Sequence, residues 1–141
     1  MRLPPFNKHG TFTKAIELKW SQFQMIYSDD KVRKAMINNA KPGFELLKAA
    51  GVETVYIGGS FASNKKTPSD IDGVFILEEH FNEDLLPDDF LEVLANYGMD
   101  FYPADMPTNF NGKSHLDFFK EGRHGEKPGL IKLSLKDLKS D

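Results

Sequence analysis

The sequence predicts an α/β (α+β) domain in which a small mixed β-sheet is backed by helices. Short runs of β-branched and aromatic residues alternate with longer segments whose apolar residues recur every three to four positions. A chain of 141 residues is long enough to bury a sizeable core but short for two domains. We therefore expect a single domain over residues 1–141.

Four segments are predicted to be strands. Residues 55–57 are β-branched and aromatic and stop at two glycines. Residues 74–77 are apolar on both faces, which indicates a strand covered on both sides. Pro103 ends the strand predicted for 99–102, because proline cannot donate a ladder hydrogen bond. Residues 130–135 alternate apolar and polar side chains, as a half-buried strand does.

The first part of the chain is less regular. Residues 1–12 contain two adjacent prolines and show no clear periodicity, so we predict an extended N-terminal arm. Apolar residues in 13–27 mix the strand period with the helix period, which leaves this assignment open. A short helix from about Lys19 is the preferred interpretation.

Two longer helices are predicted on either side of the first two strands. The polar residues 28–30 can cap a helix that continues to Gly51, with a kink or a break at Pro42. A further helix is predicted to begin at Pro87, where aspartates in the first turn suit the helix dipole, and to end at Gly98. These helices should cover the sheet.

Composition excludes several classes of protein. The absence of cysteine removes disulfides, thiol nucleophiles and thiolate zinc sites, and fits a cytoplasmic protein. No apolar run is long enough to span a bilayer, so no membrane partner is expected. The net charge of -3 does not indicate a generally basic surface of the kind that binds nucleic acid. Binding of nucleic acid through a local contact is left open.

The stretch 55–77 contains the residues with which phosphate groups and a metal ion could be bound. It joins two predicted strands through the turn Gly58-Gly59-Ser60, where we predict that a helix begins at Ser60. If the backbone of Asp70 to Asp72 is extended, both carboxylates face one way, with Cα atoms about 6.5 to 7 Å apart. Carboxylates hold Mg²⁺, and backbone amides at a glycine turn hold phosphate oxygens.

These motifs resemble a known superfamily. The sequence GGS, followed by eight residues and then SDID, resembles the nucleotidyltransferase signature of the DNA polymerase beta superfamily. It looks most like the minimal nucleotidyltransferases of bacteria and archaea. The blocks YIGGSFASNKKTPSDIDGVF, MDFYPAD and LDFFKEGRHGEKPGLIKLSL resemble a small, largely uncharacterised bacterial family with a predicted nucleotidyltransferase domain. The resemblance runs from about Gly51 to Leu135. It departs from the superfamily after Ser60, where a second glycine is often found.

The resemblance implies a nucleotidyltransferase-like fold and a role for each matching residue. A third carboxylate is expected on the strand that follows the Asp-x-Asp strand, where Asp100 fits best and Asp105 competes. Solvated loop lysines are common, and Lys65 is included because its loop lies between the turn and the carboxylates. The implied catalytic and metal-binding residues are Asp70, Asp72 and Asp100. The implied nucleotide-binding residues are Gly58, Gly59, Ser60, Lys65 and Ser69.

The function implied is Mg²⁺-dependent transfer of a nucleoside monophosphate from a nucleoside triphosphate to a hydroxyl acceptor. The acceptor is an RNA end, a protein or a small molecule. Two Mg²⁺ ions are expected, with Mn²⁺ as the alternative ion. The alternative function is a nucleotidyltransferase-like antitoxin of a toxin-antitoxin pair, or a binding module with little catalysis. Because the chain is short, a protein partner, a second copy in a homodimer or the N-terminal arm would supply the missing substrate surface.

Overall fold

Helices and strands alternate along the chain in the computed structural model, which describes residues 3–108, 112–121 and 128–139. This confirms the predicted α/β (α+β) class. The strands are β1 (Ile16–Lys19), β2 (Thr54–Gly58), β3 (Ile71–Phe75), β4 (Met99–Pro103) and β5 (Ile131–Ser134). The α-helices are α1 (Trp20–Ile26), α2 (Lys31–Ala49), α3 (Phe90–Asn96) and α4 (His115–Glu121), with a short 3₁₀ helix at Glu83–Leu85.

The five strands form one mixed sheet in the order β1-β5-β2-β3-β4. The outer pairs β1–β5 and β3–β4 are parallel, whereas β5–β2 and β2–β3 are antiparallel. Side chains along β5 alternate between buried Ile131 and Leu133 and half-buried Lys132 and Ser134. The sheet therefore has one face in the main core and a second face with polar positions.

An aromatic cluster fills much of the main core. The Trp20 ring lies 5.1 Å from the Phe44 ring, and Phe44 meets Phe101 of β4 edge-on at 5.6 Å. Phe23 and Phe61 approach to 5.8 Å and extend the cluster toward the loop after β2. Offset and edge-on aromatic pairs combine large buried area with favourable electrostatics. They fix α1 and α2 against the sheet.

Helix α2 begins at the predicted cap. The Asp30 carboxylate accepts a hydrogen bond from the Arg33 backbone N–H at 3.0 Å, which satisfies one of the free donors at a helix start. Pro42 lies inside the helix, and the helical assignment continues past it to Ala49. The two alternatives for this segment thus resolve to one continuous helix that contains a proline.

Helix α4 crosses the second face of the sheet. His115 at its start stacks on Tyr102 of β4, with ring centroids 4.4 Å apart, and the Lys120 Nζ near its end lies 5.3 Å from the Tyr56 ring of β2. Between them, Val74 of β3 is only 1% exposed. The helix therefore covers the row of residues that runs from Tyr56 through Val74 to Tyr102.

Several local predictions were wrong. Strand β1 was missed because its four residues run directly into α1. The strand period and the helix period of the apolar residues therefore overlap in this segment. No element is predicted for the segment that forms helix α4 (His115–Glu121). Helix α3 begins at Phe90 instead of Pro87. Beyond β5, Asp137 packs against α1 and accepts hydrogen bonds from the backbone N–H groups of Trp20 and Ser21.

The predicted arm does not stay extended. The Asn7 side chain accepts hydrogen bonds from the backbone N–H groups of His9 and Thr11, and these bonds close a turn. Phe12 is buried and bridges to Gly129. Within the described residues, no helix combines the length and the apolar character needed to cross a membrane.

Candidate active site

Three site residues form a row across adjacent strands. Asp72 of β3 is paired in register with Gly58 of β2 on one side and with Asp100 of β4 on the other. Neighbouring strands lie about 4.8 Å apart, and residues in register point to the same face. The row lies beside the one that α4 covers. The second face of the sheet therefore carries two facing carboxylates next to a glycine, with α4 forming a wall.

The two facing carboxylates interact strongly. Burial is the largest of the causes that raise the pKa of Asp72 to about 7, and the charge of Asp100 and a hydrogen bond to it come next. The charge of Asp70 raises this pKa further, whereas a hydrogen bond from the Ser60 backbone N–H lowers it. A like charge beside a partly buried carboxyl group disfavours its ionisation. Asp72 therefore keeps a proton up to neutral pH when no cation is present.

Asp70 and Asp105 lie in different places. Asp70 is exposed and directly precedes β3, close enough for its charge to act on Asp72. Asp105 is exposed and follows the far end of β4, where it lines a separate cleft. The structure places Asp72 beside Asp100, leaves Asp70 near enough for its charge to act on Asp72, and keeps Asp105 apart.

The chemistry of the facing pair fits a divalent cation. Over the described ranges, no set of three histidine, cysteine, aspartate or glutamate side chains is already arranged to hold a metal ion. Asp72 and Asp100 nevertheless offer crowded carboxylate oxygens, and a cation between them would remove the repulsion that now holds a proton there. Carboxylate oxygens are the ligands that Mg²⁺ and Mn²⁺ prefer. Asp70 would add negative charge close to this pair.

The glycine turn lies directly against Asp72. Gly59 has a φ angle of 62°, a conformation that favours glycine, and a Cβ atom there would lie 2.3 Å from Asp72 Oδ2. A Cβ atom on Gly58 would lie 2.8 Å from both Phe119 of α4 and Leu130. Both glycines are therefore needed for close packing around the carboxylate.

The prediction that a helix begins at Ser60 was wrong. Ser60 lies in a turn, and the chain continues through turn and bridge conformations to Ser63. The Ser63 hydroxyl donates a hydrogen bond to the Ser60 carbonyl at 2.6 Å, and this local bond favours a turn over a helix. The Ser60 backbone N–H still points at an acid, because it donates to Asp72.

Arg33 of α2 holds the loop that follows the turn, and the sequence analysis missed it. Its guanidinium is buried and pairs with Asp30 at 3.0 Å. The remaining N–H groups donate to four loop carbonyls at 2.8 to 3.2 Å, those of Ser60, Phe61, Ser63 and Lys65. The five donors of arginine suit such a task, which lysine cannot reproduce. The sequence signal was a lone arginine on the first turn of a helix, which is ordinarily solvated.

The two remaining predicted nucleotide-binding residues lie in this loop. Lys65 is exposed, and its backbone N–H donates to the Ser63 hydroxyl at 3.1 Å. Ser69 is exposed in the bend that leads into Asp70. Neither side chain is buried beside the carboxylate row, so both are free to face a ligand or solvent.

Tyr102 is a second residue that the sequence analysis missed. The charge of Asp100 is the largest cause that raises the pKa of the Tyr102 hydroxyl, followed by burial and by a hydrogen bond to Asp100. The ring is held by its stack on His115, whose Nδ1 lies 2.7 Å from the Met106 carbonyl oxygen. Tyr102 thus lies close enough to Asp100 for the two side chains to interact, on the side of α4. The alternation along β4 places it on the same face as Asp100.

The fold and the site define a small α+β domain with two facing carboxylates beside a glycine turn. Residues 4–134 match a family of unknown function (DUF6932), so the chain belongs to that family. No curated protein and no solved structure matches the chain. The geometry of the described residues therefore carries the functional argument.

Replacing Gly59 by alanine is expected to lower the free energy of unfolding by about 1–3 kcal/mol, because a positive φ and the overlap with Asp72 both cost free energy. Gly98→Ala is the matched control, since Gly98 has a φ of 77° and nothing within 4 Å of an added Cβ. Urea unfolding of both variants checks this. Equal losses would contradict the close contact between Gly59 and Asp72.

Proposed function

We propose that the protein is a Mg²⁺-dependent nucleotidyltransferase that moves a nucleoside monophosphate from a nucleoside triphosphate to a hydroxyl acceptor. The observation that supports this most is the pairing of Asp72 with Asp100 on neighbouring strands, beside the turn that contains Gly59. Crowded carboxylates that retain a proton at neutral pH have a physical reason to recruit a cation.

Each residue has a defined part in this proposal. Asp72 and Asp100, with the charge of Asp70 nearby, hold Mg²⁺, which when bound neutralises the triphosphate and activates the acceptor hydroxyl. Asp100 is exposed, so its carboxylate is placed to accept the proton of that hydroxyl. Backbone N–H groups of the turn Gly58-Gly59-Ser60 contact phosphate oxygens.

Residues around this centre support the substrate. Lys65 and Ser69 extend the contact to the triphosphate from the exposed loop. The acceptor is an RNA end, a protein or a small molecule in the cytoplasm. A partner protein or a second copy of the chain completes the acceptor surface.

A binding module without catalysis, such as the antitoxin of a toxin-antitoxin pair, is the second candidate. The observation that favours it is the absence of a ready set of three metal ligands among the described residues. In such a module Asp72 and Asp100 would not respond to Mg²⁺. The two candidates therefore differ in one measurable property, the response to Mg²⁺ and triphosphate together.

A melting experiment with Mg²⁺ and each of the four nucleoside triphosphates tests the proposal. A ligand at about 100 times its dissociation constant adds roughly 2.7 kcal/mol, so the melting temperature should rise on the order of 5–10 °C. The rise should need both Mg²⁺ and triphosphate and should disappear with a chelator. Incubation of the same samples with labelled triphosphate and cell extract then shows what becomes labelled. An unchanged melting temperature with all four triphosphates would refute the proposal.

A further inference from the structure

A cleft of about 360 Å³ lies at the end of β4 away from the carboxylates. Apolar side chains from three parts of the chain line most of it. They are Leu77, Phe81, Leu86, Phe90, Pro103 and Met106. Leu77 is 38% exposed and Leu85 next to the cleft is 57% exposed, which makes them two of the large apolar residues that the described structure leaves in solvent. Exposed apolar surface around a concavity is typical of a binding site.

Negative charge surrounds this cleft. Glu83 and Asp105 lie on its lining, and both are exposed. All lining residues come from the segment 67–112, which contains none of the protein's 18 lysines and arginines. Exposed acidic side chains in such a segment create a local negative potential. The cleft therefore combines an apolar floor with a negative rim.

This combination selects one kind of partner. An apolar small molecule would gain nothing from the acidic rim, and an anionic ligand such as a nucleotide would be repelled by it. A peptide with an apolar anchor and flanking lysines or arginines satisfies both features, because the anchor fills the floor and the cations meet the rim. The cleft is also separate from the carboxylate row. Asp100 and Pro103 are three residues apart on β4, about 10 Å along the strand.

We propose that this cleft binds a basic peptide segment of a partner protein, anchored by an apolar side chain. The anchor contacts Leu77 and Met106, and lysines or arginines on either side of it pair with Glu83 and Asp105. This site is independent of the metal and of the triphosphate. It holds whether the protein is an enzyme or a binding module.

Selection from a displayed library of random peptides, with the whole protein as bait, tests the proposal. The selected peptides should be enriched in lysine or arginine around a leucine, phenylalanine or methionine. A synthetic copy of the strongest peptide should bind in a fluorescence anisotropy titration and should weaken as salt is raised. The double variant Glu83→Lys, Asp105→Lys should weaken binding by about tenfold or more. Leu77→Gln should do the same through loss of the anchor contact.

The matched control is Glu17→Lys, Asp29→Lys, which makes the same change in net charge at exposed positions outside the cleft. It should bind the peptide like the parent, and melting curves should show that all variants are folded. Equal binding by both charge variants would overturn the proposal, as would selected peptides without cationic enrichment or a selection that yields no binder. Sedimentation equilibrium provides a further check. A dimer that dissociates only in the Glu83→Lys, Asp105→Lys variant would assign the cleft to a second copy of this chain instead.

Discussion

Asp72→Asn is expected to make the metal-free protein more stable at pH 8 while abolishing the stabilisation by Mg²⁺ and triphosphate. The folded state raises the pKa of Asp72 from 3.8 to about 7, so it binds a proton that the unfolded chain has lost in this range. The free energy of unfolding of the parent therefore falls as pH rises through this window, and the loss is complete above it. Asparagine does not ionise and can still accept the Ser60 N–H.

Melting curves from pH 4 to pH 8, with and without Mg²⁺ and triphosphate, measure both effects. Parent and variant should be similar at the acidic end and diverge toward pH 8. Asp100→Asn should behave in the same way because it removes the neighbouring charge, whereas Asp105→Asn should be nearly silent in both measurements. A variant at Asp72 that is less stable at every pH and still responds to ligand would show that this aspartate is purely structural.

Arg33→Met is expected to lower the free energy of unfolding by about 3–4 kcal/mol, one of the largest effects for any single substitution in this chain. Methionine keeps the apolar stem but removes the donors to the loop carbonyls, which then lack partners beside a buried side chain. Because the same loop follows the glycine turn, ligand stabilisation should fall as well. Arg33→Lys should recover only part of the loss, since a lysine ammonium cannot match the planar guanidinium.

Urea unfolding of these variants supplies the measurement, and Lys34→Met is the control because Lys34 is the exposed neighbour on the same helix. The control should change the free energy of unfolding by less than about 0.5 kcal/mol. A loss for Arg33→Met no larger than that of the control would mean that water replaces the guanidinium at the four carbonyls. In that case the loop would not depend on α2.

Sequence patterns predicted the centre of the molecule well. The strand before the glycine turn was recognisable because β-branched residues end abruptly at Gly58, whereas the next strand was predicted for 74–77 and runs over Ile71–Phe75. The cap at Asp30 was recognisable because an acidic residue preceded a helical apolar pattern. These features are local, so a single stretch of sequence contains the whole signal.

Other features depend on contacts between distant residues. The sequence left Asp100 and Asp105 as competitors, and only the register of β4 on β3 places Asp100 beside Asp72. The role of Arg33 depends on carbonyls some thirty residues away in the chain, which no local pattern reports. Helix α4 has seven residues and packs by tertiary contacts with Tyr56 and Tyr102, so its intrinsic propensity was a weak guide.

The strand order also constrains how this chain acquires its structure. Strand β5 is the last of the five in sequence, yet it lies in the interior of the sheet between β1 and β2. Before β5 is in place, β1 has no partner among the described strands and β2 presents an unpaired edge. Such an edge is open to pairing with other chains, and long-range pairing of this kind slows folding. The sheet is therefore completed from the inside, and only after β5 has been synthesised.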